Sequence, residues 1–252
     1  MSELVKILEN LGVLDDIKTT LLFNDIDSTE ENMASTGFGF AKITESFEST
    51  LALSEEVYNF VSRMRKKQDK ELMEQPFALT GNLGIDNDNT PIIYLNEFLE
   101  DTDGIRKATS GCGGDAFYQR VNAYLNNHEN INKVLLMGHT HPDMEKLSAQ
   151  EGFIDENVGI REASESLVDN PLKLRKRGLN ISVGDVVQLI KAQNSASRTN
   201  FILSGIALPN GEFNILFYNG TTIQSLDNVF VVRGEKLESI PNFKTDTTII
   251  KK

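Results

Sequence analysis

The chain has 252 residues, with 25 Lys+Arg against 37 Asp+Glu and a formal net charge of −12. This acidic balance argues against a nucleic-acid backbone or an anionic membrane as the main partner, and the single Cys excludes both an intramolecular disulfide framework and a cysteine-rich structural zinc site. A basic-then-apolar leader is not found, and no window approaches the ~20 apolar residues of a membrane helix, so a soluble, cytoplasmic protein is expected.

The first 45 residues are predicted to form an N-terminal appendage. Apolar residues recur there at helical spacing and an acidic polar stretch follows, which predicts a short amphipathic helix carrying Leu4, Ile7, Leu8, Leu11 and Leu14. Such a helix either packs on the main body or serves as a docking or oligomerisation element, and the pattern is compatible with both.

The middle of the chain alternates predicted helices and strands. Ser54 has the position of an N-cap, because Glu55 and Glu56 follow it in the first turn of an apolar-periodic segment. The predicted elements are a helix over 54–70, a hairpin of strands over 77–83 and 91–95, a flexible loop over 111–114, a helix over 116–126 and a buried strand over 134–138.

The C-terminal half begins with a polar, highly charged and irregular segment, residues 143–180. Beyond it the patterns predict a helix over 186–192, a hairpin of strands over 201–208 and 213–218, a strand over 229–232 and a loose tail over 245–252. Strands and helices mixed around one sheet predict an α/β (α+β) fold, with a mixed central sheet flanked by helices.

Two of the three histidines follow the buried strand directly, as Gly138-His139-Thr140-His141-Pro142. Side chains of a strand alternate between its faces, so His139 and His141 can present two imidazoles to one point. Neutral imidazole is a common ligand for zinc and similar metals. The pair therefore predicts a metal site, with two exposed polar residues at a strand end as the alternative.

A third ligand is available at the start of the predicted helix over 186–192. Ser182-Val183-Gly184-Asp185 stands before its apolar run, and Ser-x-x-Asp there is also close to a capping box. The two interpretations are compatible, because a helix start holds a side chain rigidly. Three protein ligands leave one zinc position open, as catalytic sites require.

His139-x-His141-Pro142 followed by Ser182-x-x-Asp185 resembles the signature of the JAB/MPN-domain metalloproteases, the JAMM enzymes. Glu74, followed by two residues and an apolar strand that ends in Gly81, matches the glutamate of that family, and the resemblance covers roughly residues 50–220. It implies a cytidine-deaminase-like JAB/MPN core with an insertion at 143–180.

Two departures from the family pattern leave alternatives open. Phe77 stands where the family usually has Gly, so Glu71 and Glu97 remain candidates for the catalytic glutamate. Asp185 follows His141 only after a long segment, whereas the family joins them by one short loop. Nearer acidic residues are therefore alternative third ligands, namely Glu151 and Asp155.

The resemblance implies a Zn²⁺-dependent hydrolase of amide or isopeptide bonds, with ubiquitin-like proteins or peptide tails as substrates. Glu74 would be the general base and Ser182 would donate a hydrogen bond to the oxyanion, while His139, His141 and Asp185 would bind the metal. The implied organisation is an appendage over 1–45, a catalytic domain over 46–235 and a tail over 236–252. The alternative is an inactive MPN-like scaffold, or an assembly component of a phage or secretion apparatus.

Three further features have ordinary explanations. His128 is expected at a solvated helix end, Cys112 in a loop, and the basic run Lys173–Arg177 on a solvated face. If the insertion borders the active site, the basic run could instead contact an acidic segment of the substrate, and the insertion could act as a lid.

Overall fold

The fold is known from a computed structural model, which describes residues 50–71, 73–85, 91–106, 111–126, 133–141, 185, 188–189, 192, 201–218, 222–226, 228–234, 236–241 and 248–249. The predicted appendage over 1–45 and the predicted insertion over 143–180 lie outside these residues.

The described elements follow the predicted order of helices and strands. The strands before the histidine motif are β1 (Thr50–Ser54), β2 (Pro76–Ile85), β3 (Pro91–Glu100), β4 (Ile105–Arg106), β5 (Gly111–Cys112) and β6 (Lys133–Thr140), with the helices α1 (Glu55–Glu71) and α2 (Asp115–Asn126). After it come β7 (Phe201–Ala207), β8 (Phe213–Tyr218), β9 (Thr222–Ser225), β10 (Asn228–Arg233), β11 (Lys236–Ser239) and β12 (Thr248–Ile249). Helical conformation is also found at Asp185, Gln188, Leu189 and Ala192.

Ten of these strands form one mixed sheet in the order β11-β10-β1-β3-β2-β6-β7-β8-β9-β12, and β4 pairs with β5. Strand β2 runs antiparallel to both β3 and β6, whereas β6 and β7 are parallel. Strand β6, which ends in the histidine motif, therefore lies in the interior of the sheet. The broad α/β (α+β) class is confirmed.

Helix α1 begins where the sequence predicts. The backbone N–H of Val57 donates to the Ser54 hydroxyl at 3.2 Å, which is the N-cap bond to the third helical residue. Glu55 and Glu56 stand in the first turn and Lys70 in the last, each favourable to the helix dipole. Helix α1 packs on the sheet through the buried side chains Val57, Phe60, Val61 and Met64.

The two helices cover opposite faces of the sheet. On one face, Phe77 of β2 and Leu136 of β6 share a core with the apolar stripe of α1. On the other face, the neighbouring residues Ala78 and Leu135 pack against Phe117 and Val121 of α2. Because side chains alternate along each strand, odd-numbered residues of β6 face α2 and even-numbered ones face α1. This alternation decides where the site residues lie.

Several parts of the sheet differ from the sequence predictions. Strand β1 was not predicted, because its short apolar run leads straight into α1 and resembles a buried helical turn. The Gly111–Cys112 part of the expected loop pairs with Ile105–Arg106. Within the tail expected over 236–252, Lys236–Ser239 pairs with β10 and Thr248–Ile249 with β9. These short segments have no strand pattern of their own in the sequence. They are extended because each pairs with a neighbouring strand.

Among the described residues, no helix has the length and apolar character needed to cross a membrane.

Candidate metal centre

The two histidines meet at the carboxyl end of strand β6. His139 lies within the strand and continues the α2-facing series of Leu135 and Met137. The backbone N–H of His141 donates to the carbonyl of Ala207 at 3.1 Å, so β7 still holds the chain beyond the end of β6. The two rings have centroids 4.8 Å apart, and their Nε2 atoms are separated by 2.9 Å. The predicted convergence of the two imidazoles is present.

Glu74 reaches the same point from the segment just before the neighbouring strand β2. The antiparallel register pairs Pro76 with His139, so its continuation places Glu74 opposite His141. The even-numbered residues Pro76 and Ala78 of β2 lie on the α2 side, and the same alternation brings Glu74 to that side. Ligand atoms of Glu74, His139 and His141 all lie within 4.8 Å of one another, and Glu74 is buried.

Asp185 is brought to the histidines from the helical residues that follow the long segment. Its carboxylate places Oδ1 at 3.2 Å from Nε2 of His139 and Oδ2 at 3.4 Å from Nε2 of His141. Asp185 is buried, with 8% of its surface exposed. Leu189, four residues later, is also buried. The Asp185 carboxylate thus contacts both histidines, despite its distance from them in the sequence.

The separations between the donor atoms are close to those expected around a tetrahedral metal ion. Zinc–nitrogen and zinc–oxygen bonds of ~2.0–2.1 Å in tetrahedral geometry separate neighbouring ligand atoms by about 3.3 Å. The observed separations are 2.9 Å between the two Nε2 atoms and 3.2 and 3.4 Å from these nitrogens to Asp185. The group of Glu74, His139 and His141, in which the glutamate is buried and the histidines are partly buried, could likewise hold a metal ion. Both carboxylates therefore border the two imidazole nitrogens.

The electrostatics couple the histidines to Asp185. Burial disfavours the charged form of His139, but the Asp185 carboxylate, with a smaller contribution from Glu74, outweighs it and raises the pKa of His139 to about 9. Burial also acts against the charged form of Asp185, yet His139 and His141 hold the pKa of its carboxyl well below the usual value. The site thus stabilises positive charge at the point where the nitrogens and carboxylates meet.

Other predicted candidates do not join this group. The Glu71 carboxylate accepts a hydrogen bond from the side-chain amide of Gln75 at 3.1 Å, and Glu97 accepts one from the Thr80 hydroxyl at 3.2 Å. Of the three glutamates considered for the base, only Glu74 belongs to the candidate metal group. Ser182, Glu151, Asp155, His128 and the basic run Lys173–Arg177 lie outside the described residues.

Sequence reasoning missed two residues that hold the site together, Gln75 and Thr140. The Thr140 hydroxyl accepts the backbone N–H of Gln75 at 3.0 Å, and both residues are almost fully buried. A polar residue between the two histidines was the available signal, because strand alternation turns it away from the metal and into the interior on the α1 side.

No known protein family matches the sequence, and a search of curated proteins finds no match either.

Proposed function

We propose that the protein is a zinc-dependent metallopeptidase that hydrolyses an amide or isopeptide bond. The observation that carries the proposal is the convergence of His139, His141 and Asp185, with a second carboxylate, Glu74, beside them. Two imidazoles and one carboxylate form a common ligand set of catalytic zinc sites, which keep a fourth position open.

Asp185 serves as the third ligand in this proposal, and Glu74 as the general base. Each oxygen of the Asp185 carboxylate lies at a ligand-to-ligand distance from one histidine nitrogen, 3.2 Å for His139 and 3.4 Å for His141. Glu74, two residues before β2, has a ligand atom within 4.8 Å of ligand atoms of His139 and His141. This division gives one carboxylate to the metal and leaves the other to move a proton.

The reaction uses the residues as follows. Zinc, when bound, supplies a Lewis acid that polarises the scissile carbonyl and lowers the pKa of water. Glu74 accepts a proton from the water whose oxygen attacks the carbonyl carbon. It returns that proton to the amine nitrogen when the carbon–nitrogen bond breaks, so the carboxylate is regenerated. Ser182 is assigned, by its place in the motif, the hydrogen bond to the developing oxyanion.

The resemblance to the JAMM enzymes supports this assignment. A helix, a glutamate, a hairpin, a second helix and a strand ending in His-x-His-Pro follow one another in this chain as α1, Glu74, β2 and β3, α2 and β6. The family cleaves isopeptide bonds of ubiquitin and ubiquitin-like modifiers. We therefore propose a protein or peptide substrate with an extended, Gly-rich tail.

The test uses an internally quenched peptide in which a Gly-Gly carboxyl group is joined to a lysine Nζ, beside the same peptide joined through an α-amino group. Zinc-loaded protein is expected to cleave at least one probe, a chelator to stop cleavage and added zinc to restore it. Glu74→Gln is expected to keep its zinc and to lose at least about 100-fold in kcat.

Glu97→Gln is the matched control, because it changes a glutamate of the neighbouring strand that bonds Thr80 and is outside the metal group. It should cleave as fast as the wild type. Unchanged cleavage in Glu74→Gln would exclude Glu74 as the base. Loss of zinc in that variant would make Glu74 a metal ligand instead.

A further inference from the structure

The segment that carries Glu74 is fixed by a hydrogen-bonded contact between Gln75 and Thr140, here called the clamp. The backbone N–H of Thr140 donates to the carbonyl of Gln75 at 3.2 Å, and the backbone N–H of Gln75 donates back to the Thr140 hydroxyl at 3.0 Å. Gln75 is 1% exposed and Thr140 is fully buried. The residue next to the proposed base is thus tied to the residue between the two histidines.

The clamp replaces an ordinary step of the β2–β6 ladder. In a regular antiparallel ladder, every second opposed pair exchanges both backbone hydrogen bonds. Here the Gln75 N–H bonds the side-chain hydroxyl of Thr140 instead of its backbone carbonyl. The regular pairing of β2 with β6 therefore ends at Pro76 with His139. Beyond this point the backbone N–H of His141 bonds the carbonyl of Ala207 in β7, and the continued register places Glu74 opposite His141.

The side chain of Gln75 adds a second anchor. Its amide donates to the Glu71 carboxylate and to the carbonyl of Met73, each at 3.1 Å. Glu71 is the last residue of helix α1, so these bonds connect the helix end to the segment before β2. Both neighbours of Glu74 are therefore hydrogen-bonded. The Met73 carbonyl accepts the Gln75 side-chain amide, and the Gln75 backbone bonds Thr140 in the clamp.

We propose that Thr140 is a positioning residue, whose hydroxyl acts through Gln75 to hold the Glu74 carboxylate at the reacting water. This inference rests on the proposed peptidase function for its catalytic consequence. Its structural part stands on the contacts of Gln75 and Thr140. Because the Thr140 side chain faces away from the histidines, its hydroxyl serves the base rather than the metal.

The test compares Thr140→Val with Thr140→Ser. Valine keeps the branched shape and removes the hydroxyl, so we expect kcat on the isopeptide probe to fall about 10- to 100-fold, as for other residues that support a metal site indirectly. We expect KM and the zinc content to stay unchanged. Serine restores the hydroxyl, and kcat should return to within about threefold of the wild type.

Amide hydrogen exchange gives a readout that is independent of activity. Removing the acceptor should lower the protection of the Gln75 amide at least about tenfold in Thr140→Val, and Thr140→Ser should restore it. Thr80→Val is the matched control, since it removes another buried threonine hydroxyl, one that links β2 to β3 and lies six residues or about 20 Å along the strand from Glu74. It should leave both kcat and Gln75 exchange unchanged.

The outcomes separate the two proposals. An active wild type with an equally active Thr140→Val variant overturns the positioning role, and so does a kcat loss that Thr80→Val reproduces. A wild type that binds zinc without cleaving the probe overturns the peptidase function. In that case the Gln75 exchange still decides the clamp, and unchanged protection in Thr140→Val overturns it.

Discussion

Nε2 of His139 and Oδ1 of Asp185 are 3.2 Å apart, although the whole segment from residue 140 to residue 184 separates them in the chain. This contact joins the end of an interior strand to a separate helical element. Both side chains belong to the set that would bind the metal, so the ion would cross-link two elements. Metal binding and the stability of the fold would therefore be coupled.

Zinc is expected to stabilise the chelator-treated protein. At free zinc of about 100 times Kd, mass action adds roughly 2.7 kcal/mol to the free energy of unfolding, seen as a higher Tm. Asp185→Asn should lose most of this zinc-dependent shift, because the third ligand is weakened.

Asp103→Asn is the control for that measurement. The Asp103 carboxylate accepts the backbone N–H of Ala116 at the start of α2, and Asn can accept the same bond. Its zinc-dependent Tm shift should equal that of the wild type. An equal shift in Asp185→Asn would show that Asp185 does not bind the ion.

The cap of helix α1 gives a prediction that is independent of the metal. Ser54→Ala removes the acceptor of the Val57 N–H and should lower the free energy of unfolding by about 0.5–2 kcal/mol. Ser54→Asp should retain nearly full stability, because its carboxylate also accepts this bond. Urea unfolding of zinc-free protein measures both variants, and equal stability of Ser54→Ala and the wild type would refute the assigned cap.

Gly138 is expected to resist substitution because the Phe77 ring occupies the space of its missing side chain. A Cβ there would meet the ring, with Cζ at 2.7 Å, and the carbonyl oxygen of Gly205 at 3.0 Å. Gly138→Ala should therefore destabilise the protein by about 1–3 kcal/mol through overpacking beside His139.

A double-mutant cycle with Phe77→Leu tests this explanation. A smaller side chain at position 77 makes room for the Cβ, so the double variant should be at least about 1 kcal/mol more stable than the sum of the two single effects predicts. Urea unfolding gives the four free energies. Strict additivity would mean that the Phe77 ring is not what Gly138 accommodates.

Local patterns in the sequence were enough to predict part of the site. Strand alternation placed His139 and His141 on one side, and the N-cap pattern at Ser54 located helix α1. Both are properties of neighbouring residues. The hairpin of β2 and β3 was predictable for the same reason, because its turn and its two apolar runs are adjacent in the chain.

Long-range placement could not be predicted in the same way. The position of Asp185 depends on where its helical segment packs, and spacing along the chain carries no such information. The clamp needed the register of β2 against β6, which is set by pairing across the sheet. Strand β1 and the two-residue strand β12 escaped notice because neither has a pattern long enough to distinguish it from a turn or a loop.

The most direct test of the central claim is the zinc content of the purified protein and of two variants, Asp185→Ala and Glu151→Ala. We predict about one zinc ion per chain in the wild type and in Glu151→Ala, and a loss of zinc in Asp185→Ala. A wild type without bound metal would contradict the metal centre. Zinc lost from Glu151→Ala and kept by Asp185→Ala would contradict the assignment of Asp185 as the third ligand.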